Sequence, residues 1–481
     1  MNRKFIFYTL GQIFTAAAGM LILPVVVAVI YRESSIWAFI TVAGASLIFG
    51  QLLKLVFKTH NKVIYAKEGF VIVALAWLCM SLIGAVPFVL SGEIPSYFDA
   101  FFETVSGFTT TGASILRNVE GLSRSVLFWR SFTHWIGGMG VLVFIMALMS
   151  GNADRSIHIL RAEMPGPVVG KLVPKARDTA KILYLIYIAM TGAEIIFLLL
   201  GGMPVFDSIV HSFATAGTGG FGIKADSIGG YSAYTQWVIA VFMILFGVNF
   251  NVYYLMLVRK VNSMLKSTEL WCYLSIVVMS IGLVTMNVYS IYGSFSESLR
   301  QSTFQVASII STTGFATADF NAWPGLSKTI LLLLMFVGGC AGSTAGGLKV
   351  SRVMLLIKTI RREIKKLIHP NIIKTVRLEY KPVEESTLSG VTSYFAIYIL
   401  CIAIVFLILS LEPFNMETNF SATIACFNNV GPGLAGVGPT SNYADYSNLS
   451  KVVLSLAMLL GRLEIFPIVI ALNPFIWKKR V

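Results

Sequence analysis

About ten apolar runs, each about 20 residues or longer, follow one another along this 481-residue chain. They lie near 5–30, 36–57, 69–90, 124–150, 179–201, 234–258, 270–292, 326–348, 388–411 and 450–477. A helix of that length crosses a bilayer with its backbone polar groups satisfied internally. The chain is therefore read as an all-α polytopic membrane protein. Composition agrees, because 56% of residues are hydrophobic and only 12% are charged, about half the share in soluble domains. The first run is about twice as long as the apolar core of a secretory leader, and no small-x-small cleavage site follows it.

The formal net charge of +14 does not point to nucleic acid, because it is gathered in alternate loops. Arg3 and Lys4, Lys54 to Lys67, Arg155 to Lys181, Arg259 to Lys266, Lys349 to Lys381, and Lys478 to Arg480 form the clusters, and the intervening loops are poor in Lys and Arg. That is the positive-inside pattern, with both termini cytoplasmic and membrane lipid as the partner of the charge. The cysteines Cys79, Cys272, Cys340, Cys401 and Cys426 lie in apolar runs without paired spacing, so they read as small core residues.

Small and polar stretches interrupt this apolar pattern: "FTTTGAS" (108–114), "ATAGTGGFG" (214–222), "STTGFAT" (311–317) and "NNVGPGL" (428–434). Each is preceded by a short segment led by an acid (Asp99, Asp207, Glu297 or Glu417) and followed by another long apolar run. The unit recurs about every 100 residues. This divides the chain into an extra helix pair (1–60) and repeats at 61–151, 152–262, 263–381 and 382–481. The acid-led segments are too short to span a bilayer of about 30 Å. Half-length helices fit, with the acid at the outer N-terminus and the carbonyl end at mid-membrane. Non-helical backbone at that depth must be buried in protein or line water. Four such loops about one axis make a pore whose backbone carbonyls replace the hydration shell of a monovalent cation such as K⁺. A Ca²⁺ or Mg²⁺ site would want carboxylates, and the stretches contain none. Ordinary helix breaks or small-residue packing are the alternative.

The motifs "FFETVSGFTTTGAS", "FWRSFTHWIGGMGVLVF", "GGCAGSTAGGLKVSR", "NNVGPGLAGVGP" and "LLGRLEIFPI" resemble the Trk/Ktr/HKT family of potassium transporters, most closely its bacterial TrkH branch. The resemblance covers nearly the whole chain, including the extra helix pair. It implies K⁺ uptake across a bacterial plasma (inner) membrane and one pseudo-fourfold pore per chain. It also implies a homodimer and a cytoplasmic TrkA-type nucleotide-binding regulatory ring. Carried over residue by residue, the potassium filter is Thr110-Thr111-Gly112, Gly217-Thr218-Gly219, Thr312-Thr313-Gly314 and Asn429-Val430-Gly431. The second loop offers both Gly219 and Gly220, and the register taken is the one ending at Gly219. Glycine in every loop favours K⁺ over Na⁺ by the family's pattern. K⁺ is the transported ion, with no organic cofactor in this chain.

The stretch 337–349 holds Gly338, Gly339, Gly342, Gly346 and Gly347, with Ser343 and Thr344 among them. Those glycines cost a helix about 5 kcal/mol relative to alanine, which predicts a break. The spacing of Gly338, Gly342 and Gly346 also fits close helix packing. The resemblance makes this stretch an intramembrane gate loop, with Arg462 facing the pore beside it. An arginine in mid-span is costly. A structural pairing is its alternative, and Glu464, two positions on, does not share its helix face.

Enzyme readings fail on context. "GPGLAG" (431–436) runs into Gly438-Pro439, where a dinucleotide fingerprint would open a helix, and "GSTAGGLK" lacks Gly-Lys-Ser/Thr. Glu194 is the intramembrane carboxyl that a Na⁺- or H⁺-coupled symporter would require. Arg130 and His134 receive no role. The basic stretch 358–381 fits either anionic lipid or a regulatory partner.

Overall fold

The computed structural model describes residues 1–58, 66–140, 176–372 and 375–477. The boundaries expected at 60/61 and 151/152 lie outside them, as do Lys478 to Arg480 and much of the basic clusters Lys54 to Lys67 and Arg155 to Lys181. The described residues are mostly helical, with a small hairpin pairing Arg377–Leu378 with Lys381–Pro382. Among the described residues six helices are long and apolar enough to cross a membrane: Arg3–Tyr31, Ile36–Val56, Lys67–Leu90, Asp178–Leu200, Thr268–Tyr292 and Glu385–Leu409. Leu55, Leu200, Met286 and Leu407 lie exposed on them. Apolar side chains are expected outward where the solvent is lipid tails.

The first two helices cross closely. A Cβ on Gly11 would stand 2.8 Å from the Gly50 carbonyl oxygen, and the reverse holds for Gly50. Their turn is tied to the helix Arg124–Gly138: Glu33 accepts from the Arg124 N–H at 2.7 Å and the Ser125 N–H at 2.9 Å. A carboxylate there satisfies orphan donors of the helix N-terminus.

The four short acid-led segments are helices of 12, 13, 16 and 12 residues: Tyr97–Phe108, Val205–Gly217, Phe295–Ile310 and Met416–Phe427. At about 1.5 Å per residue none spans the bilayer. Ser96 and Asn415 cap two of them through their side chains, and Asp99, Asp207, Glu297 and Glu417 sit in the first turns. These pore helices bury polar side chains as well as apolar ones, among them Glu103, Thr104, His211, Gln305 and Asn419. Such residues belong inside protein, not against lipid.

In each unit the helix following the loop (the inner helix) packs on the pore helix of the next unit. Arg124–Gly138 lies on the second pore helix, Ala233–Phe246 on the third, Gly325–Val337 on the fourth, and Asn448–Arg462 returns to the first. The seam between the fourth and first units carries a Lys451 Nζ–Asp99 Oδ1 ion pair of 2.5 Å. Four units therefore close into a ring.

Apolar periodicity predicts continuous inner spans, and the structure differs. Ala233–Phe246 and Phe250–Leu257 meet at 90°, and Asn448–Arg462 and Phe466–Leu472 at 118°. At the first break Gly247 abuts the Tyr273 hydroxyl and the Asn249 side chain caps the Asn251 N–H. At the second, Glu464 and Ile465 take positive φ and Pro467 opens the new helix. The third inner helix stops at Val337 and resumes at Val350. Gly338, Gly342 and Gly346 thus lie on no helix, so the packing alternative fails.

Candidate functional site

The pore helices end alike. Thr110, Thr218, Thr312 and Asn429 have φ of 55°, 57°, 57° and 57°. The next N–H reaches back into the helix: Thr111 to Ser106 O (2.9 Å), and Gly219 to Ala214 O, Thr313 to Ser308 O and Val430 to Ala425 O (each 2.8 Å). This is the Schellman pattern, which usually places glycine at the left-handed position. Three β-branched threonines there are strained, and strain of this kind collects at functional sites.

Two residues further on stand Gly112, Gly220, Gly314 and Gly431, with φ of 81°, 73°, 86° and 94°. A Cβ on Gly112 would overlap the carbonyl oxygen of Gly219, one on Gly220 that of Thr313, one on Gly314 that of Val430, and one on Gly431 that of Thr111. Each glycine thus leans on the middle carbonyl of the following loop, around all four units and back to the first. All four glycines line one cavity of about 180 Å³, with Arg117 and Lys224 at its rim.

The second loop sits one residue beyond the expected register. Gly217 is the last residue of its helix, and the ring is built from Thr218, Gly219 and Gly220. Matching the loops on their phenylalanines, "TGGF" against "TTGF", carries this register in the sequence. The other expected members, Thr110, Thr111, Gly112, Thr312, Thr313, Gly314, Asn429, Val430 and Gly431, occupy equivalent places in their loops.

Behind the ring lie residues to which sequence reading assigns nothing. His134 Nδ1 lies 2.7 Å from Gly107 O, and the Phe221 N–H donates to Nε2 at 3.3 Å. These contacts assign a neutral ring with its proton on Nδ1, tying the first pore helix to the second loop. Arg130 donates to Glu103 Oε1 at 2.8 and 2.6 Å and to Gly222 O at 3.2 Å, with both ionic side chains buried. Glu103 also accepts from Ser114 Oγ and the Ile115 N–H. Removing one member of such a pair leaves a buried charge alone, at about 3–5 kcal/mol. Arg130→Met should therefore lower the midpoint of thermal unfolding in detergent, and adding Glu103→Met should restore part of it. A single variant as stable as wild type would show that the pair does not brace the loops.

Below the ring, residues 338–349 form a closed loop. Leu348 N–H donates to Phe336 O and Val350 N–H to Gly339 O (each 3.0 Å), and the backbones of Gly338 and Gly347 touch. Other elements hold it on several sides. Cys340 N–H donates to Gly247 O (2.9 Å), Phe250 N–H to Gly342 O (3.0 Å) and Thr344 Oγ1 to Phe246 O (3.2 Å), all at the break in the second inner helix. Gly346 N–H donates to Thr312 Oγ1 in the ring at 2.6 Å, and Gly347 N–H to Asn428 O at 3.1 Å.

Arg462 crosses to this loop from the end of the fourth inner helix. It donates to Thr344 O at 2.7 Å, Gly137 O at 2.6 Å and Gly138 O at 2.7 Å, joining three units through backbone carbonyls. The buried Lys349 donates to Ala345 O, the next carbonyl of the loop. Glu464 pairs elsewhere, accepting from Arg352 at 2.9 and 2.5 Å, and Arg352 stacks 4.2 Å over the Tyr394 ring. Ser343 turns inward on Cys340 O at 2.7 Å. Among the described residues no group of three or more His, Cys, Asp or Glu could hold a metal ion.

The sequence model of the TrkH family, described as cation transport protein, matches residues 36–479. The chain is similar to the Trk system potassium uptake protein TrkH of Salmonella typhimurium, with 35% identity over 100% of both chains. It is also similar to the Trk system potassium uptake protein TrkG of Escherichia coli, with 33% identity over 95% of this chain and 94% of the relative. The structure resembles the crystal structure of the potassium transporter TrkH from Vibrio parahaemolyticus, with a TM-score of 0.89 and 31% identity over 99% of this chain and 100% of that one.

Proposed function

Because the chain belongs to the TrkH family of cation transport proteins, we propose that it is the K⁺-translocating subunit of an uptake system, with a glycine-ring filter above a gate. It is a potassium uptake transporter. One observation carries the filter: glycines at φ of 81°, 73°, 86° and 94° close a ring by leaning on carbonyls. Thr110 to Gly112, Thr218 to Gly220, Thr312 to Gly314 and Asn429 to Gly431 would then hold K⁺ through backbone oxygen, with no organic cofactor. The gate is the segment from Gly338 to Gly347, kept shut by Arg462 and by the loop's bonds to neighbouring units.

The protein sits in the bacterial inner membrane with both termini in the cytoplasm, and the extra N-terminal pair precedes four repeats. It works as a homodimer, and a TrkA-type nucleotide-binding ring acts on its cytoplasmic side. In support, the helix Val350–Ile368 runs past its buried start into a segment bearing exposed Arg361 and Lys365. A cysteine replacing Lys365, in a background without the native cysteines, should react only with an impermeant reagent added from the cytoplasm. One replacing Ala225 should react only from outside. Reaction of both from one side would overturn the orientation.

The deciding measurement is ⁸⁶Rb⁺ against ²²Na⁺ flux in proteoliposomes, with and without an imposed proton gradient. Flux of Rb⁺ above Na⁺ that follows its own gradient supports the channel-like reading. A second reading, coupling to H⁺ or Na⁺, rests on Glu194, which is fully buried beside Thr215 of the second pore helix. Flux that follows the proton gradient and loses that dependence in Glu194→Gln would favour it.

A further inference from the structure

Glu269 lies in the first turn of the helix Thr268–Tyr292 and is 5% exposed. No salt bridge to it occurs among the described residues, although it acts electrostatically on the buried Lys349. Its carboxylate serves the backbone of the loop, with the Ser351 and Asn249 side chains also within its reach. Oε1 accepts from the Ala341 N–H at 2.7 Å and from the Ser351 N–H at 3.2 Å. Ala341 stands in the descending limb of the closed loop, and Ser351 is the second residue of the helix that leaves it. One oxygen thus pinches together the two limbs on either side of the segment that carries Thr344 and Gly346.

Neither amide has a helical partner to fall back on. Ala341 lies in the interrupted stretch, and Ser351 is in the first turn, whose N–H groups are orphans of the helix. A carboxylate oxygen is the stronger acceptor for such donors. The remaining contacts of the loop reach the ring, the second inner helix and Arg462. Glu269 is the contact that fixes the loop to the outer helix of its own unit, at the end away from the ring.

We infer that Glu269 is a positioning residue for transport: its carboxylate clamps the base of loop 338–349, so that Arg462 and Thr312 meet the loop in its shut form. The inference rests on the gate reading above. It acts on gating alone, because Glu269 touches neither the ring nor its supports.

The test is ⁸⁶Rb⁺ flux per folded protein for Glu269→Ala, Glu269→Gln, Arg462→Ala and the deletion of Ala341 to Gly346, each normalised by size-exclusion yield. Glu269→Ala should raise flux about tenfold. Glu269→Gln, which keeps a neutral acceptor of about half the strength, should raise it about threefold. Both should keep the wild-type Rb⁺/Na⁺ ratio, and neither should add to the deletion, because all act on one closure. Glu269→Gln preserves size and one acceptor, so it carries the test if Glu269→Ala does not fold. Wild-type flux in a folded Glu269→Gln, with Arg462→Ala leaky, would overturn the clamp and leave the gate standing. Wild-type flux in Arg462→Ala and in the deletion would remove the gate itself. An increase in Glu269→Gln accompanied by a fallen Rb⁺/Na⁺ ratio would also overturn the clamp, since general loosening moves both.

Discussion

Replacing Arg462 with alanine should raise basal ⁸⁶Rb⁺ flux roughly 10- to 100-fold. The guanidinium donates to Thr344 O, Gly137 O and Gly138 O at 2.6–2.7 Å, and Thr344 belongs to the loop below the ring. A charged hydrogen bond of this kind contributes about 1.5–3 kcal/mol, and about 1.4 kcal/mol is tenfold in an equilibrium. Losing the bond to Thr344 releases the loop toward its open arrangement. Losing the charge also lowers the barrier to a cation on the same path. Deleting Ala341 to Gly346 should raise flux in the same way without adding to the arginine change. Leak at the wild-type level in a well-folded deletion variant would rule out the gate. Arg462→Lys sharpens the result, since a lysine keeps the charge but cannot span carbonyls of two units with a planar fork. Its leak should fall between those of wild type and Arg462→Ala.

A side chain at any ring glycine should cost selectivity. Gly112 and Gly220 have φ of 81° and 73°, where an L-residue is strained by about 1–2 kcal/mol. A Cβ would also overlap the carbonyl oxygen of the next loop. That carbonyl must move, and with it the cage proposed to tell K⁺ from Na⁺. Gly112→Ser and Gly220→Ser should each lower the Rb⁺/Na⁺ flux ratio about tenfold, as a change of about 1.4 kcal/mol would. An unchanged ratio in folded Gly220→Ser would mean that the second loop does not contribute through this residue. The damage should pass to the following loop in the ring, so Gly431→Ser should disturb the first loop at Thr111.

The parts of this fold that were legible in the sequence are those set by local chemistry. An acid in the first turn, a half-length segment and a polar, glycine-bearing end mark each pore helix, and four copies specify a ring. What apolar periodicity conceals is a bend inside a run that stays apolar on both sides. Gly247 and Asn249 break one such run and Pro467 another, yet hydropathy continues across each. The register of the second loop was obscured by two adjacent glycines; the backbone places Gly220, and not Gly219, at positive φ, as the phenylalanine that follows it also indicates. Glu269, His134 and Arg130 were invisible for another reason. Their partners are backbone groups or side chains 27 to 92 positions away. No spacing rule reaches so far.

The bond from the Gly346 N–H to Thr312 Oγ1 has a thermodynamic consequence. It makes one side chain a member of both the ring and the loop beneath it, so the loop cannot leave without changing what Thr312 donates to or accepts from. Any difference in K⁺ affinity between the bonded and released forms of the ring must reappear, by the same factor, as a dependence of the loop's equilibrium on external K⁺. The other quarters lack this wire: Thr218 turns its hydroxyl on Gly217 O, and Asn429 spends its amide on Thr111 and Met458. Four identical subunits would have to share such an arrangement equally. A single chain can place such a shared side chain in one quarter alone, while the fourth quarter holds the same loop through Asn428 O and Arg462.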